Sequence, residues 1–214
     1  MKLSCESYAA QVARWPQEGR HIMAQFDADS VVVYQAYNPR IGGYAAQHGH
    51  FGGDFSFARM SWIKPNFLWM MYRSGWGTKP DQEVTLAVRL RRPFFERILG
   101  QAVVSSFDAS HYPSHEEWQK AVVQSEVRLQ FDPDHDPRGK PLARRALQLG
   151  LRGATLREYG GDALLDIEDI SDFVAQQRKH AQAGDYQALL TPSEAPYLPG
   201  DTAAVARLGL AVIS

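Results

Sequence analysis

Arginine and aromatic residues are concentrated in one segment of this sequence, and together they suit an anionic ligand that carries a ring. Between Arg59 and Arg97 the chain holds eight basic residues, six of them arginine, against three acidic ones, a balance of +5. The planar guanidinium group matches the oxygens of phosphate and carboxylate groups. The alternative is a solvated surface whose arginines pair with carboxylates from the acidic second half of the chain.

The same segment is rich in aromatic side chains. Residues 51–76 contain eight of them: Phe51, Phe55, Phe57, Trp62, Phe67, Trp69, Tyr72 and Trp76. Aromatic faces beside arginines could hold a nucleobase or a nicotinamide ring while the guanidinium groups bind phosphates. The alternative is a bulky helix that packs into the core, since aromatic clusters usually serve packing.

Common signatures of nucleotide enzymes and hydrolases are missing. The sequence has no Walker A motif, no Gly-x-Gly-x-x-Gly and no Gly-x-Ser-x-Gly, so P-loop, Rossmann and α/β-hydrolase classes gain no support. Possible metal ligands are the pairs His48/His50 and His111/His115 and the acidic run 132–136, which lacks the full calcium-loop pattern. We predict no metal site.

The elements that must position these residues form an irregular mixture of strands and helices, which predicts an α+β fold with a mixed, mostly antiparallel sheet and flanking helices. The predicted strands are 21–26 and 30–37, joined as a hairpin, then 55–57, 84–90, 127–131 and 163–167. The predicted helices are 5–14, 39–48, 65–74, 93–99, one after Ser114, 142–149 and 171–181. Residues 132–140 are predicted to form a polar turn.

Length and composition predict one globular domain at residues 1–183 and a C-terminal tail at 184–214, either wrapped around the domain or mobile. The tail is expected to contribute little to ligand chemistry. Hydrophobic residues make up 44% and charged residues 22% of the chain, as in ordinary globular proteins. The single cysteine, Cys5, favours a cytoplasmic location. No apolar run is long enough to predict a membrane span.

Four segments resemble the family catalogued as domain of unknown function 4291 (DUF4291). They are Arg20–Gln25, Val32–Tyr37, Arg59–Trp76 and Gln148–Gly153. The resemblance extends from about Tyr8 to Arg178, and the Arg59–Trp76 block is its longest and most specific part. It implies membership of this family and no particular activity.

The order of the predicted elements is also similar to that of ADP-ribosyltransferases, which implies a nucleotide-binding enzyme that uses NAD and transfers ADP-ribose to an unidentified acceptor. The implied cofactor-binding residues are Tyr34, Trp69 and Tyr72 around the nicotinamide and Arg59 and Arg73 on the pyrophosphate. The implied catalytic residues are Glu168, which would stabilise an oxocarbenium-like centre, and His21, with Glu126 as an alternative carboxylate. The sequence has no clear His-Gly-Thr or Glu-x-Glu motif.

A second hypothesis comes from a different class of protein. The basic and aromatic segment 51–97 could instead be the surface of an RNA-binding module. This hypothesis predicts binding that weakens steeply with salt and shows no turnover.

Overall fold

The computed structural model describes residues 3–211 and shows an α+β fold, as predicted. The helices are α1 (Tyr8–Val12), α2 (Pro39–His48), α3 (Phe67–Ser74), α4 (Arg92–Gln101), α5 (His115–Gln124), α6 (Gly153–Tyr159), α7 (Ser171–Ala183) and α8 (Thr202–Leu208). The strands are β1 (Cys5–Ser7), β2 (Gly19–Arg20), β3 (Ile22–Ala24), β4 (Ser30–Tyr37), β5 (Ser61–Ile63), β6 (Val84–Arg91), β7 (Val103–Val104), β8 (Val127–His135), β9 (Pro141–Leu151), β10 (Leu164–Asp169), β11 (Leu190–Pro192) and β12 (Ala195–Tyr197). Within the described residues, no helix is both long and apolar enough to cross a lipid bilayer.

Most of the described strands belong to two sheets, one of three strands and one of five, which a bridge joins into one curved, mixed surface. The order of the three-stranded sheet is β10-β6-β4. In the five-stranded sheet β2 and β5 both pair with β9, β9 pairs with β8, and β8 pairs with β7. The two sheets are joined where the backbones of Tyr34 and Lys64 exchange hydrogen bonds of 2.7 and 3.2 Å. The pairing is mostly antiparallel, with β2–β9 and β7–β8 parallel.

The sheet has two covered faces. The first face carries Val33, Val88 and Leu149 into the larger core, where helices α2, α4 and α6 pack. The second face carries Val32, Tyr34 and Ala87 into a smaller core beneath α3 and α7. Successive strand residues point to opposite faces, so each strand divides its side chains between the two cores.

Side-chain caps define the ends of α2 and α3. The start of α2 is as predicted, whereas α3 begins at Phe67, two residues after the predicted start at Pro65. Asn38 accepts a hydrogen bond from the backbone N–H of Ile41, and Pro39 is the first residue of α2. Asn66 accepts from the N–H of Trp69 at the start of α3, and Gly75, with φ of 60°, ends that helix in the left-handed conformation. Local side-chain chemistry therefore fixes both ends of α3.

The helix predicted at residues 5–14 is shorter, because residues 5–7 form β1 and the helix is α1. Three other predicted elements are wrong. Residues 55–57 form turns and irregular structure, and the strand lies later, at β5. The predicted turn at 132–140 is shorter, because β8 continues to His135. The predicted helix 142–149 is instead β9. Its leucines at 147, 149 and 151 are all buried on one face of the sheet, and eight residue pairs with β8 override the helical spacing.

The C-terminal residues lie against the beginning of the chain. Strand β11 pairs with β1, and β12 pairs with β3. Tyr197 and Leu208 are buried in the larger core. The division of the chain at residue 183 stays a prediction, and residues 212–214 of the predicted tail lie outside the described residues.

Candidate functional site

A row of residues crosses the second face of the curved sheet and leads to the candidate site. Glu168 pairs with Ala87, Ala87 pairs with Tyr34, and Tyr34 forms the bridge to Lys64. Directly opposed residues of antiparallel strands project their side chains to the same side. Helix α3 covers the row at Tyr34, whose ring packs edge-on against Phe67 with centroids 5.4 Å apart.

Beyond Lys64 the row becomes polar. The pairing of Ile63 with Leu149 places Lys64 beside Gln148, which pairs with Gln130. Gln148 Nε2 donates to Gln130 Oε1 at 3.1 Å and to Asp132 Oδ2 at 2.7 Å. We call this surface the Lys64 face. Its residues are Trp62, Lys64, Arg128, Gln130, Asp132 and Gln148, with Arg73 at its border.

Lys64 is a buried amine with few polar contacts. The residue is 6% exposed. Its Nζ donates to the carbonyl oxygen of Trp62 at 3.5 Å. Among residues 3–211 the amine has no other hydrogen-bond partner, and no carboxylate forms an ion pair with it. Burial, and next the positive charge of Arg73, lower the pKa of Lys64 to about 8, against the opposing charge of Asp132.

Two arginines add positive charge to the Lys64 face. Nη1 of Arg128 is buried and has no hydrogen-bond partner among the described residues. Burial and the neighbouring charge of Arg152 lower the pKa of Arg128. Arg73 is exposed near the end of α3, and neither Arg73 nor Arg128 forms an ion pair with residues 3–211. The charges of Arg73 and Asp132 act on Lys64, and Arg128 adds a third cation further along the same face, so positive charge exceeds negative charge on this surface and favours an anion.

A glycine makes room for an aromatic ring on this surface. Gly150 pairs with Trp62 on one side and with Arg128 on the other. A Cβ atom on Gly150 would lie 2.9 Å from Cε2 of Trp62 and 2.7 Å from Sδ of Met60, which is too close. Because Gly150 has no side chain, the half-buried indole of Trp62 can lie against β9, next to the cationic groups.

Three stacked rings lie where α3 meets the end of β8. The rings of Tyr72 and His135 are 3.6 Å apart and nearly parallel, and Trp69 lies 5.4 and 5.2 Å from them. Trp69 and His135 are buried, whereas Tyr72 is 41% exposed. Tyr72 also lines a cavity of about 420 Å³ together with Trp76, Arg138 and other residues. Tyr72 is therefore the ring of this stack that a ligand can reach.

The buried amine should reduce stability in a pH-dependent way. We expect Lys64→Met to stabilise the fold at pH 7, by up to about 3 kcal/mol, because a pKa near 8 instead of 10.5 reports the cost of burying the charge. Above pH 8 the folded protein releases this proton while the unfolded chain still binds it, so wild-type stability rises and the difference shrinks towards pH 10. Urea denaturation of both proteins between pH 7 and 10 measures this. A difference that stays constant or widens would contradict it.

The predicted NAD-binding residues are only partly brought together. Tyr34 is fully buried and Trp69 is 4% exposed, so neither offers a free ring face. Tyr72 and Arg73 lie on the exposed end of α3, near the Lys64 face. Arg59 lines a separate cavity of about 440 Å³ with Tyr37, Asn38 and other residues.

The predicted catalytic residues lie apart from this group. Glu168 is three strand spacings from Lys64, roughly 14 Å, and lines a cavity of only about 10 Å³ with Val32, Arg89 and others. His21 is buried, with Nε2 2.9 Å from the carbonyl oxygen of Glu18, and burial lowers its pKa. Glu126 accepts hydrogen bonds from the N–H groups of residues 154 and 155 at the start of α6, which lower its pKa.

Several arginines of the basic segment have structural partners. Arg89 contacts Asp27 and Ser30. Arg92 contacts Glu96, and Arg97 contacts Glu158 at 2.5 Å. The interpretation as paired surface charge therefore describes Arg92 and Arg97, whereas Arg89 is paired but buried. The basic residues of the segment that form no ion pair with residues 3–211 are Arg59, Lys64, Arg73, Lys79 and Arg91, and of these Lys64 and Arg73 lie at the same face.

The possible metal ligands have other contacts. Nδ1 of His48 lies 2.9 Å from a main-chain carbonyl oxygen, and His111 lies 3.2 Å from Asp108. Asp134 forms a buried ion pair with Arg144. No group of three or more potential ligands occurs within residues 3–211.

Sequence reasoning did not identify Lys64, Arg128 or Gln148 as site residues. Lys64 was counted only as part of the basic segment, although it lies just before Pro65 in the most specific block. Gln148 was not recognised as a neighbour of Lys64, because residues 142–149 were predicted to form a helix and not a strand of the same sheet. The alternation of polar residues at 128, 130 and 132 was the available signal, but the partner of that strand could not be recognised.

The comparisons with known sequences identify the family. The model of the family "domain of unknown function (DUF4291)" matches residues 21–197 of the 214, so the chain belongs to this family, as the resemblance implied. No curated protein matches the chain.

Proposed function

We propose that this member of the DUF4291 family is a nucleotide-binding enzyme whose ligand places its phosphate groups on the Lys64 face. The observation that carries the proposal is the set of three cations, Lys64, Arg73 and Arg128, that have no carboxylate partner within residues 3–211. Arginine and lysine without internal partners are suited to phosphate oxygens.

Two aromatic rings, one on this surface and one beside it, support a nucleotide over a simple anion. Trp62 lies on the face itself, and the exposed ring of Tyr72 lies on the adjoining end of α3. A nucleobase stacked on either ring would add about 1–3 kcal/mol to binding.

NAD is one of the nucleotides to be tested, but the transfer of ADP-ribose through Glu168 gains no support from the geometry. Tyr34 and Ala87 lie between Glu168 and Lys64, and both are buried beneath the helical layer. A ligand on the Lys64 face therefore cannot reach Glu168 along the sheet.

The RNA-binding alternative is less favoured. A non-specific RNA surface needs a continuous basic stripe, whereas Arg89, Arg92 and Arg97 are engaged with internal partners. A short RNA is still included as a probe, since steep loss of binding with salt would reveal it.

Replacing Arg73 tests the proposal. We expect Arg73→Ala to weaken binding of the best nucleotide about ten- to a hundredfold, because a charge-assisted contact of about 1.5–3 kcal/mol is lost. The melting temperature without ligand should hardly change, since the side chain is exposed and unpaired. Thermal-shift screening of ATP, GTP, CTP, UTP, NAD and a short RNA, followed by calorimetry, provides the measurements.

Arg97→Ala is the matched control. It removes an arginine of the same basic segment that is already paired with Glu158, so nucleotide affinity should stay unchanged. Equal losses in both variants, or no effect of Arg73→Ala, would place the ligand elsewhere. If no nucleotide binds, the proposed function is wrong.

A further inference from the structure

The backbone around Lys64 is held on both sides. Its own N–H and C=O bond to Tyr34, and Pro65 follows directly. Asn66 then caps α3 and donates through Nδ2 to Glu194 at 3.1 Å. The lysine stem therefore emerges from a fixed point between β5 and α3, at the border between the covered and the open part of the sheet face.

The surroundings of the Lys64 amine do not resemble those of a structural lysine. A buried structural charge is normally paired, and a lysine that only attracts anions is normally exposed. Lys64 has neither property, since it is 6% exposed and has no carboxylate partner within residues 3–211. A desolvated lysine next to another cation is the arrangement that makes an amine nucleophilic, and a pKa of about 8 leaves part of it unprotonated near neutral pH.

We infer that Lys64 is a nucleophile that forms a covalent phosphoramidate with a nucleotide. The inference rests on the proposed function and names the chemistry of the same site. The electrophile is a phosphoanhydride, because the groups around the amine are suited to phosphate oxygens. One of them is a second cation, Arg73, whose charge acts on the Lys64 amine.

The step balances without any oxidant or reductant. The lone pair of Nζ attacks the α-phosphorus, and a P–N bond forms. The bond from that phosphorus to the bridging oxygen breaks. Pyrophosphate leaves from a nucleoside triphosphate, or a mononucleotide leaves from a dinucleotide such as NAD. The amine proton passes to Asp132 or to solvent.

The neighbouring residues have distinct parts in this step. Arg73 and Arg128 hold the phosphate oxygens and stabilise the charge that develops on them. Asp132, which accepts a 2.7 Å hydrogen bond from Gln148 Nε2, is the carboxylate whose field acts on Lys64. Gln148, on the neighbouring strand β9, holds the Asp132 carboxylate in place.

Intact-mass spectrometry tests the inference directly. The full-length protein is incubated with ATP, GTP, CTP, UTP or NAD in separate samples with magnesium ions. The expected result is a mass increase of one nucleotidyl group, which is a nucleoside monophosphate minus one water, located on Lys64 by peptide mapping and lost in acid, as for a P–N bond. The rate of labelling should rise between pH 7 and 9 as the amine loses its proton.

Two lysine variants separate binding from covalent chemistry. Lys64→Arg keeps a positive charge but removes the amine, so it should abolish the adduct. Reversible nucleotide binding should weaken, because a phosphate contact is altered, but it should stay measurable by calorimetry. Lys79→Arg is the matched control. It changes an exposed lysine whose Nζ bonds to the carbonyl oxygen of Arg73, and it should be labelled like the wild type.

The outcomes distinguish this inference from the proposed function. Nucleotide binding without any adduct overturns the inference and leaves the function standing. Labelling of another residue, or a carbonyl adduct trapped by borohydride in place of the phosphoramidate, also overturns it. Absence of both binding and adduct overturns the inference and the proposed function together.

Discussion

A chain that ends at Ala183 is expected to lose its native fold. The missing part contains β11 and β12, which pair with β1 and β3, and it removes the buried side chains of Tyr197 and Leu208 from the larger core. Loss of one such large core side chain alone costs about 2–5 kcal/mol, and a domain of this size is stable by only about 5–15 kcal/mol. Near-ultraviolet circular dichroism and urea denaturation measure the effect.

Glu194 connects the C-terminal segment to the start of α3, next to the candidate site. The buried carboxylate of Glu194 accepts hydrogen bonds from Asn66 Nδ2 at 3.1 Å and from the N–H of Phe67 at 2.6 Å. Glu194→Ala leaves both donors buried without a partner, and we expect a loss of roughly 3 kcal/mol in the free energy of unfolding.

The control for this prediction is Glu18→Ala, at an exposed glutamate. This variant should change stability by no more than about 0.5 kcal/mol. A cooperative, native-like unfolding transition in the chain that ends at Ala183 would show that the C-terminal segment is dispensable. Equal stability of the two glutamate variants would show that the contacts of Glu194 do not stabilise the fold.

Replacing Trp69 is expected to have the second large effect. The indole is 4% exposed and is stacked with Tyr72 and His135, so Trp69→Ala should cost about 3–5 kcal/mol through the cavity that it leaves. Denaturation in urea without ligand measures this loss. Ligand binding should fall mainly because α3 no longer holds Tyr72 in place.

Trp69→Phe provides the matched variant. Nε1 of Trp69 has no hydrogen-bond partner among the described residues, so a ring without this group should be tolerated much better than alanine. If Trp69→Ala is as stable as the wild type but fails to bind nucleotide, Trp69 contacts ligand directly, as the sequence-based hypothesis proposed.

Elements whose signals are local were predicted from the sequence. Asn38 with Pro39 marked the start of α2, Gly75 marked the end of α3, and alternation from Val84 to Leu90 marked β6. Caps and left-handed turns depend on a few neighbouring residues, and a half-buried strand shows its period directly. Local composition likewise identified the basic and aromatic segment that includes Lys64 and Arg73.

Only the tertiary structure decided which of these residues share a surface. The spacing of residues 142–149 fits a helix, yet pairing with β8 makes the segment a strand and brings Gln148 beside Lys64. The same packing buries Tyr34 and keeps Glu168 three strands away, and among residues 3–211 it gives Arg73 no ion pair while Arg97 contacts Glu158. Strand partners and burial depend on contacts between residues far apart in sequence, so residue types alone determined the chemistry available to this protein, and the sheet register determined where it comes together.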